Sequence, residues 1–199
     1  MLATHAPIGL LPKSLLESKC KLVYLSRNPK DTFVSYWHFA MNTKPENYAG
    51  VSSIEEGVDM FCKGLIICGP FWDHVLDYWN ASLEKSDNVF FLTYEQLLSE
   101  PIPLVRRLAD FLGYGFSTEE EDSRMVDAIV KMCSFENLSK LEVNNCSNKV
   151  SGDGFTNKSF FWRGEAGDWK NHLMLELANL LDDVTEQKFI IGHNFKSLV

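Results

Sequence analysis

No stretch of this chain approaches the ~18 consecutive apolar residues of a membrane-spanning helix, so the sequence offers no candidate for one. Positive charge is also scarce. Nineteen Lys and Arg against 27 Asp and Glu give a net charge of −8, which argues against a broad nucleic-acid or anionic-membrane surface. An anionic ligand therefore has to be held by a local basic cluster, not by the field of the whole molecule. The cysteines (Cys20, Cys62, Cys68, Cys133 and Cys146) are odd in number and match no metal-ligand spacing. Reduced thiols in a cytosolic chain are the default expectation. The opening Met-Leu-Ala-Thr-His-Ala-Pro has neither a basic n-region nor a sustained apolar h-region. The Asn-x-Ser matches at Asn80, Asn137, Asn145 and Asn157 are accordingly read as chance. There is no internal repeat, no low-complexity tract and no linker. The sequence contains no G-x-x-x-x-G-K-S/T loop, which disfavours a nucleotide or nucleoside kinase.

What is present suits a single domain with a substantial core: 199 residues, 45% hydrophobic and 23% charged, with 14 Phe, 5 Trp and 6 Tyr. The most informative stretch is residues 24–39. An apolar run, Leu22 to Leu25, reads as a buried strand that ends on Ser26-Arg27, and a helix starts at once. Asn28 suits the N-cap, Pro29 the first helical position, and Asp31 the third, from which it reaches back to free amides. Phe33, Trp37 and Ala40 recur at helical spacing. An arginine at a strand's carboxyl end, beside helix-start amides, favours an anion, and Ser35 adds a hydroxyl one turn on. The same residues also fit a plain strand–helix joint with a surface arginine, and these residues alone leave both readings open.

Elsewhere the spacing predicts helices over residues 54–68, from Phe71 past Trp79, from Pro101 to a stop at Gly113, from the acid-rich start at Ser117, and from Trp169 to Lys188. Val89 to Leu92 reads as a second buried strand. Residues 42–53 and Ser151-Gly152-Asp153-Gly154 read as loops. Strands alternating with helices predict an α/β fold, a parallel sheet flanked by helices.

Four segments together resemble the cytosolic sulfotransferase family, most closely its plant, flavonol sulfotransferase-like members. They are Thr4-His5-Ala6-Pro7 with Leu10-Leu11-Pro12; Arg27-Asn28-Pro29-Lys30-Asp31 with Ser35-Tyr36-Trp37-His38; Phe91-Leu92-Thr93-Tyr94-Glu95; and Phe160-Phe161-Trp162-Arg163-Gly164 running on to Gly167-Asp168-Trp169-Lys170. The resemblance implies sulfuryl transfer from 3′-phosphoadenylyl sulfate (PAPS), with no metal, to a hydroxyl of a small acceptor such as a phenol, flavonoid or steroid. It assigns Arg27, Ser35 and Gly164 to the 3′-phosphate and Tyr94 to the nucleotide's surroundings. Cys133-Ser134-Phe135 falls to the adenine, where Phe135 can stack, and Trp162-Arg163 to the segment beside the phosphate. His5 matches the catalytic base, and an imidazole with an ordinary pKa near 6.5 suits removal of a hydroxyl proton. His38, His74, His172 and His193 receive no role. The implied protein is cytoplasmic, acts without nucleic acid or membrane, and is a monomer or weak dimer. The last point follows from Met174, Leu175 and Asn179, which stand where the family's dimer segment has Thr, Val and Glu.

Two departures shape the expectation further. The family's phosphate-binding loop, T-Y-P-K-S-G-T-T-like, lies on the first strand of its sheet, and no such loop occurs in these 199 residues. The expected fold is thus a P-loop, nucleotide-binding sulfotransferase-like sheet without that strand. Residues 1–199 would then be the C-terminal two-thirds of the family domain. An alternative follows, a catalytically inactive truncated relative that keeps a partial 3′-phosphoadenosine site. In the second departure, Trp162 stands where the family has a cation, which weakens but does not abolish the anion site.

Overall fold

The computed structural model of the chain describes residues 1–43, 50–67, 69–145 and 156–191. The predicted loop at Ser151–Gly154, together with Cys68, Cys146 and His193, lies outside them. In chain order the elements are α1 (Lys13–Leu16), β1 (Leu22–Ser26), α2 (Pro29–Thr43), α3 (Ile54–Cys62), α4 (Phe71–Glu84), β2 (Val89–Thr93), α5 (Tyr94–Ser99), α6 (Pro101–Leu112), α7 (Thr118–Asp122), α8 (Met125–Met132), α9 (Phe135–Lys140), α10 (Glu142–Asn145) and α11 (Leu175–Ile191). Short 3₁₀ turns cover Ile8–Leu10, Asn157–Phe160 and Asp168–Asn171.

β1 and β2 pair in parallel, in register from Leu22 opposite Val89 to Ser26 opposite Thr93. A parallel pair needs a long crossover, and here α2, α3 and α4 supply it. Alternation sends the side chains to two faces. Tyr24 and Phe91 meet α4, where Tyr24 stacks on Tyr78 at 4.2 Å and Phe91 meets Trp79 edge-on at 5.2 Å. On the opposite face Phe90 packs on Phe111 of α6 at 5.2 Å. Val23 and Leu25 on that face remain 45% and 53% exposed.

The main core lies among helices. Phe33 and Val34 of α2, Val58 and Phe61 of α3, Trp72 of α4, and Ala178 and Leu181 of α11 form one buried cluster. Trp72 satisfies its buried indole by donating to Thr185 Oγ1 at 2.9 Å, and that hydroxyl donates to Leu181 O at 2.6 Å. Lys30 on α2 is buried against α11. Its Nζ lies 2.6 Å from Asp182 and 4.2 Å above the Trp169 ring. The lysine of the Arg-Asn-Pro-Lys-Asp run is thereby a clamp between helices.

Two predicted helices are shorter than their apolar periodicity. α3 ends at Cys62, because Gly64 takes a left-handed φ of +72° and turns the chain. The C-terminal helix starts at Leu175, not Trp169. Gly167 adopts φ +85°, and the Trp169 amide bonds to Asp31 on α2 at 3.0 Å, not to its own turn. The stop at Gly113 (φ +82°) and the Ser117–Glu120 capping box match the sequence reading. Among the described residues no helix is long and apolar enough to cross a membrane.

Leu181, fully buried at the centre of the cluster, sets a test. Leu181→Ala should lower stability by about 2–5 kcal/mol, seen as a fall in the urea midpoint at unchanged slope.

Candidate functional site

The carboxyl ends of the two parallel strands release Arg27 and Tyr94 side by side, and the Arg27 guanidinium lies 4.7 Å over the Tyr94 ring. In open α/β sheets this end is where ligands bind. Asn28 caps α2 as expected, its Oδ1 accepting the Lys30 amide at 3.0 Å. The amide of Asn28 itself is held by Glu95 Oε1 from the start of α5 at 2.9 Å, which locks the two strand exits together.

Asp31 does something the sequence did not indicate. Only 3% exposed, it accepts the amides of Gly167 at 2.6 Å and Trp169 at 3.0 Å instead of serving its own helix start. This draws residues 160–172 across the strand ends. Tyr94 donates to Gly164 O at 2.7 Å, and Arg27 donates through one terminal nitrogen to Glu165 O at 2.6 Å. A cleft of about 240 Å³ results. Its walls include Arg27, Ser35, Tyr94, Phe135, Trp162, Arg163 and Gly164, along with Asp31, Val34, Phe160, Glu165 and Asp168.

Arg27 lines the cleft, and its Nε, shielded from solvent, has no hydrogen-bond partner among the described residues. Gly164 is required by two independent constraints: its φ is +69°, and a Cβ there would sit 2.5 Å from the Phe135 ring. Tyr94's phenol is pushed up mainly by burial, partly offset by Arg27, so it remains a neutral donor.

Several residues expected at the site lie elsewhere. Cys133 closes α8 and is exposed, while the Ser134 hydroxyl caps α9 by accepting the Asn137 amide at 3.3 Å. Neither lines the cleft, and only Phe135 of that trio does. His5 is exposed and is not part of the cleft wall. Its segment is docked on α4: His74 Nε2 lies 3.2 Å from the carbonyl of His5, and the Tyr78 hydroxyl donates to that of Ala6 at 3.0 Å. Because a carbonyl only accepts, His74 carries its proton on Nε2, and its Nδ1 accepts from the Tyr24 hydroxyl at 2.9 Å.

Sequence reasoning gave His74, His38 and His172 no role, yet each is built into a network. His38 stacks on Trp162 at 4.0 Å and meets His172 at 3.3 Å, and His172 meets Asp168 at 3.2 Å. The only sequence signal was the pairing of His38 and His172 with the motifs that flank them. His38 meets Trp162 and His172 from more than a hundred residues away, which no local pattern reveals, whereas Asp168 lies only four residues from His172. Among the described residues, no cluster of His, Cys, Asp and Glu is arranged to hold a metal.

Comparison with known proteins places this geometry in context. Residues 1–191 match the family model described as Sulfotransferase domain. Cytosolic sulfotransferase 16 of Arabidopsis thaliana is 45% identical over 192 residues, covering 95% of this chain and 56% of the relative. Flavonol 3-sulfotransferase of Flaveria bidentis is 41% identical over 189 residues, covering 94% of this chain and 60% of the relative. The chain thus spans somewhat over half the length of these curated relatives. Among solved structures, mouse sulfotransferase SULT7A1 complexed with PAP shares the fold, with a TM-score of 0.76 at 24% identity, over 95% of this chain and 66% of that one.

Replacing Asp31 by Asn sets an amide against amides. Asp31→Asn should cost about 1–3 kcal/mol for each donor left unsatisfied, read by thermal unfolding. The Gly167 and Trp169 amides should exchange faster with deuterium than those of α3.

Proposed function

Because the chain belongs to the sulfotransferase family, we propose that its cleft holds the 3′-phosphoadenosine half of PAPS in sulfuryl transfer to a hydroxyl of a small acceptor. The observation that carries this reading is the cleft at the joint exit of two parallel strands, lined by Arg27, Ser35 and Arg163. A phosphate in the cleft meets two guanidinium groups, which form short, charge-assisted bonds to phosphate oxygens. Arg27 brings charge as well as a hydrogen bond, Ser35 offers a hydroxyl, and Tyr94 supports the guanidinium from below. Gly164 leaves room for its backbone to approach, and Phe135 presents a ring for an adenine.

His5 is the proposed base. In the transfer, the acceptor oxygen forms a bond to sulfur as the sulfur–oxygen bond to the 5′-phosphate breaks, and the imidazole takes the hydroxyl proton. The acceptor is proposed to be a phenol, flavonoid or steroid. A cytoplasmic setting fits relatives named as cytosolic enzymes. Monomer or weak dimer is the proposed state, with Met174 and Leu175 exposed at the start of α11. The single domain is proposed to run over residues 1–199.

A second reading, binding without turnover, is favoured by one observation: His5 is not part of the cleft wall. The two readings share the anion seat and differ in chemistry.

Calorimetry with adenosine 3′,5′-bisphosphate tests the shared part. Binding to the 199-residue polypeptide should weaken roughly 10- to 100-fold in Arg27→Ala, the worth of one hydrogen bond to a charged group. Absence of heat, or an unchanged affinity in the variant, would overturn the reading. Labelled PAPS with a panel of phenols and flavonoids separates the two readings. Little or no turnover is expected of these residues alone, whereas clear turnover lost in His5→Ala would establish the enzyme.

A further inference from the structure

Asp168 sits in the back wall of the cleft, 5% exposed, and its two oxygens accept four bonds. Oδ1 accepts Arg163 at 3.2 Å and Asn171 at 2.9 Å, while Oδ2 accepts the Trp162 indole at 3.2 Å and His172 Nε2 at 3.2 Å. Burial pushes its carboxyl up, but the bonds from Asn171 and Trp162, then the charges of Arg163 and His172, more than offset this and hold it below the usual range. The carboxylate therefore stays ionised.

An ionised carboxylate only accepts, so His172 keeps its proton on Nε2. In the neutral ring Nδ1 is then an acceptor, and the bond at 3.3 Å must run from His38 Nε2–H to His172 Nδ1. The chain of donors is directed from His38 through His172 to Asp168. Burial, with His172 close by, pushes His38 down, which keeps it the neutral donor. The charged or titratable groups facing His172 are Asp168 in its own turn, Arg163 in the preceding segment and His38 on α2. Asp31, also on α2, is bound to the Gly167 and Trp169 amides.

We propose that this pair of histidines makes anion binding in the cleft proton-linked, with Asp168 and His172 as positioning residues for Arg163. The proposal rests on reading the cleft as the seat of 3′-phosphoadenosine. With His172 neutral, Asp168 and Arg163 cancel each other and the back wall offers no net charge. When His172 takes a proton on Nδ1, it loses the bond from His38 and becomes a cation against Asp168. Arg163, 49% exposed at its side chain, then faces the cleft without a counter-charge. Affinity for an anion rises as pH falls. By linkage, the anion raises the proton affinity of His172 by the same factor.

The test is calorimetry of adenosine 3′,5′-bisphosphate at pH 6.0 and 8.0 (roughly either side of the ordinary imidazole midpoint), comparing the chain with His172→Gln. Glutamine can still donate to Asp168 but never gains a charge. The ligand's own phosphate ionisation is common to both proteins and cancels in the ratio. The affinity ratio between the two pH values is expected to be at least ~5-fold larger in the unaltered chain. Equal ratios in two proteins that both bind would overturn the linkage and leave the nucleotide reading intact. No binding by the unaltered chain at either pH overturns both. If the variant fails to fold, NMR titration of the His172 ring in the unaltered chain decides alone: its midpoint should move up when the ligand is added, and an unmoved midpoint refutes the linkage.

Discussion

The site depends on one buried carboxylate. Asp31 stands at the third position of α2, 3% exposed, and accepts two amides from a segment about 136 residues further along the chain. A charge removed from water must be paired and hydrogen-bonded to persist. Here the pairing comes from Gly167 and Trp169, with the Arg27 guanidinium 3.9 Å away. This bond places residues 160–172 across the exits of the two strands. Gly164 thereby comes within reach of Tyr94, and Glu165 within reach of Arg27. Once the segment is seated, Lys30 of the same turn of α2 secures it from the other side, over Trp169 and against Asp182.

Asp31 also bears on the anion seat proposed for a chain of net charge −8. The cleft wall carries carboxylates as well as arginines, but the buried carboxylates are already engaged. Asp31 binds amides, and Asp168 holds four donors, one of them Arg163. Among the described residues, the buried inner nitrogen of Arg27 has no hydrogen-bond partner. The proposed anion seat relies on this local satisfaction of the acids, not on the overall field. Trp162 takes part in the same arrangement. It brings no charge to the cleft, yet its indole fixes Asp168 and its ring covers His38.

β1 serves both halves of the proposed chemistry. From its middle, Tyr24 bonds to His74, and His74 bonds to the carbonyl of His5, so the strand orients the segment bearing the proposed base. From its end, Arg27 enters the cleft. The exposed Val23 and Leu25 on the far face mark a surface of the sheet that the described residues leave uncovered.

By itself the sequence determined the strand–helix joint, because Asn28, Pro29 and the apolar run before them act over a few residues through capping and fixed φ. It also determined the second strand and the stop at Gly113, and it supplied the residue types proposed for the anion seat, which carry their chemistry wherever they are placed. It did not determine where those segments meet. Periodicity extended a helix back to Trp169, and only the long-range bond to Asp31 pulls that turn out of the helix. Cys133 and Ser134 shared a motif with Phe135, yet a helix start turns the three side chains in different directions, and only the ring reaches the cleft. His38 and His74 had no local signature, because their partners come from other elements, and His172 joins its neighbour Asp168 to His38 of α2. Tertiary structure decided these points, since a buried donor or acceptor takes whichever partner packing brings to it.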